Sequence, residues 1–307
     1  MKVLITGATG LIGRALCGSL SEEGHTVVAL SRSPETTRGL AAAELHKWDP
    51  PSGQFPTQAL AGIDAVVHLA GEPIVARRWT EEQKKLIRDS RVLTTQTLVE
   101  AFRSLDRRPA ALVCGSAVGF YGDRGDEPLE ETAPAGSGFL SEVCQEWESE
   151  AARASELGMR VSQVRTGVVL SVDGGALAKM LAPFKLGLGG RLGSGKQWFP
   201  WIHIRDITGI IRHAIHTSAL DGPVNGVAPE AATNAVFTRE LARVLHRPAF
   251  LPVPELALRV LMGEMAEAVF SSQRVVPRAA LESKYEFHYP VLRGALEDLL
   301  GGSKPRP

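Results

Sequence analysis

Over the first 170 residues, short apolar runs alternate with amphipathic stretches. Lys2–Ile5, Thr26–Leu30, Ala65–Leu69, Ala111–Cys114 and Arg160–Arg165 are rich in Val, Ile and Leu, which predicts strands buried on both faces. Between them, apolar residues recur at helical spacing. Leu11 to Glu23 closes at Gly24, Thr80 to Leu105 opens with Thr-Glu-Glu and stops before Pro109, and Leu140 to Leu157 closes at Gly158. Each parallel connection needs a crossover, and right-handed crossovers dominate, so the alternation predicts an α/β fold: a Rossmann-type, doubly wound parallel sheet with helices on both faces. Beyond residue 170 the chain turns glycine- and proline-rich, as in Gly187-Leu-Gly-Gly-Arg-Leu-Gly-Ser-Gly195 and Phe199-Pro-Trp-Ile-His-Ile204. The expected division is a nucleotide-binding domain over 1–170 with later segments returning to it, a mixed substrate-side and small C-terminal domain over 171–300, and a disordered tail over 301–307.

Composition narrows the function classes. The chain is 44% hydrophobic and 22% charged over 307 residues, enough for a large core. Its 34 basic and 34 acidic residues cancel, so the long-range field that gathers nucleic acid or an anionic membrane is missing and a small ligand is the better expectation. Cys17, Cys114 and Cys144 form no CxxC spacing, which argues against a disulfide framework or a metal site. Met1–Ile5 runs directly into a glycine-rich turn and no apolar run approaches a membrane span. The expected location is the cytoplasm.

The chemistry begins at Thr6-Gly7-Ala8-Thr9-Gly10-Leu11-Ile12-Gly13, where GxxGxxG follows the first strand and opens the first helix. Gly7 permits a tight turn, Gly10 lets backbone approach a pyrophosphate, and Gly13 allows close helix packing, while the free N–H groups of Leu11 and Ile12 meet the phosphates. Dinucleotide sites that prefer NAD place a carboxylate at the end of the second strand. Here that strand ends Ala29-Leu30-Ser31-Arg32-Ser33. Arg32 and the Ser31 hydroxyl suit a 2′-phosphate, so the expected cofactor is NADP(H). Leu69-Ala70-Gly71, closing the fourth strand, leaves room for adenine and ribose, and Asp49 serves either the adenine amino group or its own Asp-Pro-Pro turn.

Taken together, TGATGLIG, His68-Leu-Ala-Gly-Glu72, Ser90-Arg91, Gly119-Phe-Tyr-Gly122, Pro183–Gly190, Phe199–Ile204 and Asn225–Pro229 resemble the extended short-chain dehydrogenase/reductase superfamily. More narrowly they resemble its atypical "epimerase family" branch, which ends in a small domain of unknown function similar to Val275–Arg278 and Tyr285–Pro290. The resemblance covers nearly the whole chain. It implies a Rossmann-type domain, an NADP(H) ligand and, from related enzymes, a homodimer through the helices at Thr80–Leu105 and Leu140–Leu157.

One departure bears on the reaction. Active members of the superfamily carry a Ser or Thr at the end of the fifth strand and Tyr-x-x-x-Lys on the next helix, where Tyr moves the proton and Lys lowers its pKa. Here Phe139 and Val143 stand in the Tyr and Lys places. Ser116 and Tyr121 are the substitute candidates for polariser and acid, with Glu142, Cys144 and Glu146 nearby. Ser116 lies five residues before Tyr121 rather than four, so either Ala117 takes the catalytic place or the strand bulges. Arg91 is expected beside the pyrophosphate or an anionic substrate, Val168 and Val169 beside the nicotinamide, and Lys179, Trp201 and His203 toward the substrate, with His203 open to the alternative of a core histidine. Two functions compete: an epimerase- or reductase-like enzyme acting on a small molecule with a nonstandard proton donor, and a catalytically silent NADP(H)-binding sensor.

Overall fold

The computed structural model describes residues 1–50, 54–75 and 77–301, so most of the expected tail, 302–307, lies outside the described residues. Seven parallel strands form the central sheet: β1 (Lys2–Thr6), β2 (Thr26–Ser31), β3 (Glu44–Lys47), β4 (Ala65–His68), β5 (Ala111–Ala117), β6 (Arg160–Thr166) and β7 (Gly222–Gly226). Their spatial order is β7-β6-β5-β4-β1-β2-β3. The order reverses between β1 and β4, where Thr6 pairs with His68. In an open α/β sheet a ligand crevice lies beyond the strand ends at such a reversal.

Helices α1 (Leu11–Glu22), α2 (Glu81–Arg103) and α3 (Phe139–Ala152) follow β1, β4 and β5. Thr80 caps α2 by accepting from the Gln83 N–H, the role its hydroxyl suits. Gly158 ends the turn after α3 in a left-handed conformation. One sheet face packs Leu16, Cys17 and Leu20 of α1 with Ile207, Ile210 and Ile211 of a helix met later in the chain, while the other packs Leu98, Phe102, Trp147 and Ala151 of α2 and α3.

After β6 the chain forms a short strand, Val168–Leu170, paired in parallel with Trp201–His203. It also forms α4 (Gly175–Lys185), α5 (Ile204–His216) and α6 (Asn234–Val244). Residues 204–226 supply α5 and β7 to the first domain's layers, whereas Phe184, Trp201, Phe237, Leu241, Leu292 and Leu296 gather in a separate core. The two parts are held together at Asp206, a fully buried carboxylate at the start of α5. It accepts from the His288 and Tyr289 N–H groups at 2.7 and 2.9 Å and from the Tyr285 hydroxyl at 3.2 Å. Gly209, one turn on, leaves the space in which that hydroxyl sits, since a Cβ there would lie 2.1 Å from it.

Among the described residues no helix is long and apolar enough to cross a membrane.

Candidate functional site

The glycine turn separates into two kinds of requirement. Gly7 has a φ of +66°, and a Cβ on it would come within 2.5 Å of the Leu69 carbonyl; a Cβ on Gly13 would lie 2.2 Å from the Gly7 oxygen. Both are demanded by the protein itself. Gly10 is different: its φ of −74° suits any residue, and the nearest atom to an added Cβ is the Gly7 oxygen at 3.2 Å. It also caps α1, which has neither a side-chain cap nor an acidic residue in its first turn, so the N–H groups of Leu11, Ile12 and Gly13 are left for an anion. Exposed Thr9 completes the turn, its carbonyl held by Arg14 Nε at 3.1 Å. Thr6 fastens the neighbouring segment: its hydroxyl meets His68 Nδ1 at 2.7 Å and accepts from Leu69 and Ala70 N–H at 3.2 Å. Burial pulls the His68 pKa down to about 3, so this ring is neutral.

Beside it, β2 ends in the buried Ser31, whose hydroxyl accepts from Ser33 N–H at 3.2 Å and meets Thr37 at 3.0 Å. Arg32 is exposed. Arg14 joins this loop to the glycine turn, since its Nη1 donates to the Arg38 carbonyl at 3.1 Å. Cationic Arg14, Arg32 and Arg38 therefore border the place where NAD-preferring sites carry a carboxylate. Asp49 is exposed just beyond β3. Beyond β4, Leu69 and Ala70 back the glycine turn, and Gly71 lies under the Arg91 side chain. Val168 and Val169 are half-buried on the short strand after β6. Gly174 and Gly175, just after their strand, approach Leu11, and a Cβ on Gly175 would be 3.5 Å from the Val169 oxygen.

The proton-transfer candidates are arranged differently from the expectation. Tyr121 is fully buried. Its hydroxyl donates to Asn225 Oδ1 at 2.7 Å and accepts from Arg165 Nη1 at 3.0 Å. Burial pushes its pKa up, against the opposing charge of Arg165. The hydroxyl expected to serve as the acid is thus enclosed by protein partners rather than set toward a cleft. Ser116 is 4% exposed and donates to Glu148 Oε1 at 2.5 Å. Glu148 in turn holds Arg165 through two bonds of 2.9 and 2.8 Å. The pairing of β5 with β6 runs without interruption from Ala111 to Ala117, so no bulge brings Ser116 into the other register. Phe139 packs edge-on against Trp79, and Val143 is buried. Cys144 is buried beside Ser116, and burial raises its thiol pKa to about 11. Glu142 and Glu146 are exposed and lie within 3.5 Å of Arg88 of α2.

On the far side, Lys179 is exposed on α4. Trp201 and His203 are both buried, Trp201 at the border of a small cavity it shares with Trp198 and Val227. Trp201 is core, its indole N–H donating to the Glu230 carbonyl at 2.9 Å. His203 is 1% exposed, caps α5 by accepting from the Arg205 N–H, and stacks on Tyr289; burial lowers its pKa to about 4. These contacts place both side chains among protein neighbours, where the expectation had them toward a substrate. The sequence reading passed over Arg14, Glu148, Arg165 and Asp206; Arg165 and Asp206 interrupt apolar runs, a signal because a buried charge demands a partner, whereas Arg14, which is exposed, and Glu148, set among polar residues, carried none.

Comparison with known proteins gives the same architecture. Residues 3–225 match the NAD dependent epimerase/dehydratase family, and residues 253–299 match a domain of unknown function, DUF1731. The chain is 42% identical over 305 residues to the epimerase family protein SDR39U1 of Bos taurus, covering 98% of this chain and 100% of that one. It is 39% identical over 311 residues to a chloroplastic SDR39U1 homolog of Arabidopsis thaliana, covering 98% and 87%. Among solved structures, human SDR39U1 (isoform 2) with NADPH superposes with a TM-score of 0.88 at 37% identity, over 99% of this chain and 100% of that one. The fold, the match over residues 3–225 and the identity to full-length relatives lead to one conclusion: the chain belongs to the NAD dependent epimerase/dehydratase family and carries a DUF1731 domain toward its C-terminal end.

Proposed function

We propose that this protein binds NADP(H) across the ends of β1, β2 and β4, and that occupancy rather than acid–base turnover is its function. The observation that carries the first part is the start of α1, which Gly10 caps without a side chain and whose first turn holds no acidic residue, so that the N–H groups there are left for an anion. Leu11, Ile12 and Gly13 would bind the diphosphate through their N–H groups, and Ser31 with Arg32 the 2′-phosphate. Leu69, Ala70 and Gly71 would flank the adenosine half, with Val168 and Val169 at the nicotinamide half. The crystallisation of human SDR39U1 with NADPH supports the cofactor. Titration with NADPH and NADH tests it: NADPH should bind more tightly, and preference for NADH would overturn the assignment.

Bound NADPH supplies a two-electron reductant, but carbonyl reduction also needs a proton donor. Phe139 and Val143 carry none, Tyr121 is sealed in the core, and the Ser116 proton points to Glu148. The silent, sensor-like reading is therefore favoured. The second reading, a reductase whose small-molecule substrate brings its own acid, rests on the half-buried ring of Phe139, packed edge-on against Trp79. Following nicotinamide absorbance over a panel of carbonyl compounds and sugar nucleotides separates the two, because steady NADPH loss with any of them would overturn the silent reading. A homodimer through α2 is proposed on Leu86 and Leu93, exposed seven residues apart on one helix stripe. Light scattering that reports a monomer would remove it.

A further inference from the structure

Among the described residues Arg91 of α2 makes no ion pair. Its Nη1 donates to the Ile87 carbonyl at 3.0 Å and lies 3.5 Å from Ser90 Oγ. Its guanidinium carbon is 5.4 Å from the Trp147 ring centre, and a Cβ on Gly71 would come within 3.2 Å of that carbon. Among the described residues no carboxylate lies within ion-pair distance of it, and no protein acceptor meets its Nε or Nη2. Desolvation lowers its pKa from the usual guanidinium range, with Cys144 and Glu72 opposing only at longer range. Arg91 is half-buried, and a guanidinium partly withdrawn from water without an ion-pair partner is costly. Its two open donors form half of a planar fork that matches phosphate oxygens.

The location of this charge gives it meaning. Trp147 is one helical turn beyond Val143, the residue in the lysine place, and its ring rests on β5, where a Cβ on Gly115 would approach it to 3.2 Å. Gly71 directly follows Leu69 and Ala70, whose backbone abuts Gly7 of the phosphate turn. Arg91 thus bridges the edge between β4 and β5, next to the glycine turn. The aromatic pair Trp79–Phe139 lies eight residues before Trp147 on α3, about 12 Å away along the axis.

We propose that Arg91 supplies from α2 the positive charge that α3 lacks at Val143, and that it closes on the diphosphate–ribose segment of the cofactor rather than on a substrate. This rests on the NADP(H) reading above. Its test is binding, with the full chain and three ligands: NADPH, 2′-phospho-ADP-ribose and 2′-AMP, the last lacking the diphosphate. Arg91→Met should weaken the first two by roughly 10- to 100-fold and leave 2′-AMP unchanged, while Arg91→Lys should fall between wild type and Met because it keeps charge but loses the fork. Unchanged NADPH affinity in Arg91→Met overturns the assignment, as do equal losses on all three ligands, which mark a residue holding the fold. Should the Met variant not fold, an Arg91→Lys protein that binds all three ligands as wild type does also overturns it. If the wild type itself binds neither NADPH nor 2′-phospho-ADP-ribose, the nucleotide reading fails and takes this proposal with it; wild-type binding with an indifferent Arg91 sinks only this proposal.

Discussion

Tyr121→Phe should cost stability and leave cofactor affinity alone. The phenol is fully buried, and its hydroxyl donates to Asn225 Oδ1 at 2.7 Å while receiving Arg165 Nη1 at 3.0 Å. Removing it leaves Nη1 the Glu131 carbonyl at 3.1 Å but takes away the Asn225 oxygen's donor. One orphaned buried acceptor and one lost charge-assisted bond together cost about 2 to 3 kcal/mol. For 307 residues the entropy of unfolding is about 0.6 kcal/mol per kelvin, so the melting temperature should fall by about 3 to 5 °C. Scanning calorimetry measures the shift, and a parallel NADPH titration should give an unchanged dissociation constant. An unaltered melting temperature, combined with lost turnover on some substrate, would refute the reasoning and return Tyr121 to a catalytic role.

The remaining predictions concern the glycine turn, the second strand and a buried ring. Gly10→Val should abolish NADPH binding with the fold intact by circular dichroism, whereas Gly13→Ala should lower the melting temperature even without ligand, because its Cβ would sit 2.2 Å from the Gly7 oxygen. Arg32→Asp should weaken NADPH by more than about tenfold in a direct titration, with NADH little changed. His68 has a folded pKa of about 3 against an ordinary 6.5, so its contribution is complete above 6.5 and is lost as pH falls toward 3, when the unfolded chain takes a proton the folded one refuses. The slope is at most about 1.4 kcal/mol per pH unit. Between about pH 7 and about pH 5 the wild type should therefore lose roughly 2 kcal/mol more than His68→Gln in urea melts.

Legibility in the sequence followed the range of the forces involved. The glycine turn was readable because its requirements act within a few residues, and the β-α alternation because strand and helix periods are local. The end of β5 was not: Gly115-Ser116-Ala117 reads as a stop, yet pairing with Val164–Thr166 carries the strand three residues past Cys114. Tyr121 failed for the same reason at longer range, since its burial depends on Asn225, more than a hundred residues on. Aromatic Trp201 and polar His203 looked like cleft residues because a glycine-rich stretch precedes them, but packing of the C-terminal segment against α5 encloses both.

The lost catalytic pair and the buried charges are parts of one arrangement. Val143 is 2% exposed, so an ammonium at its position would have to be buried. The carboxylate that α3 turns inward is instead Glu148, five residues further along, directed at Arg165 of β6. Arg165 passes the connection to Tyr121 and Asn225, and the Asn225 amide donates to the Val276 carbonyl beside the C-terminal domain. Breaking a buried pair of this kind by deleting one partner costs about 3 to 5 kcal/mol, which fixes Glu148 where it is. Glu148 in turn holds the Ser116 hydrogen. A serine whose proton is committed inward offers a ligand only lone pairs: it can accept from a hydroxyl or amide, but it cannot polarise a carbonyl oxygen. On the proposed silent reading, the polar chain that ties the nucleotide domain to the C-terminal domain is thereby what withholds the serine from carbonyl chemistry.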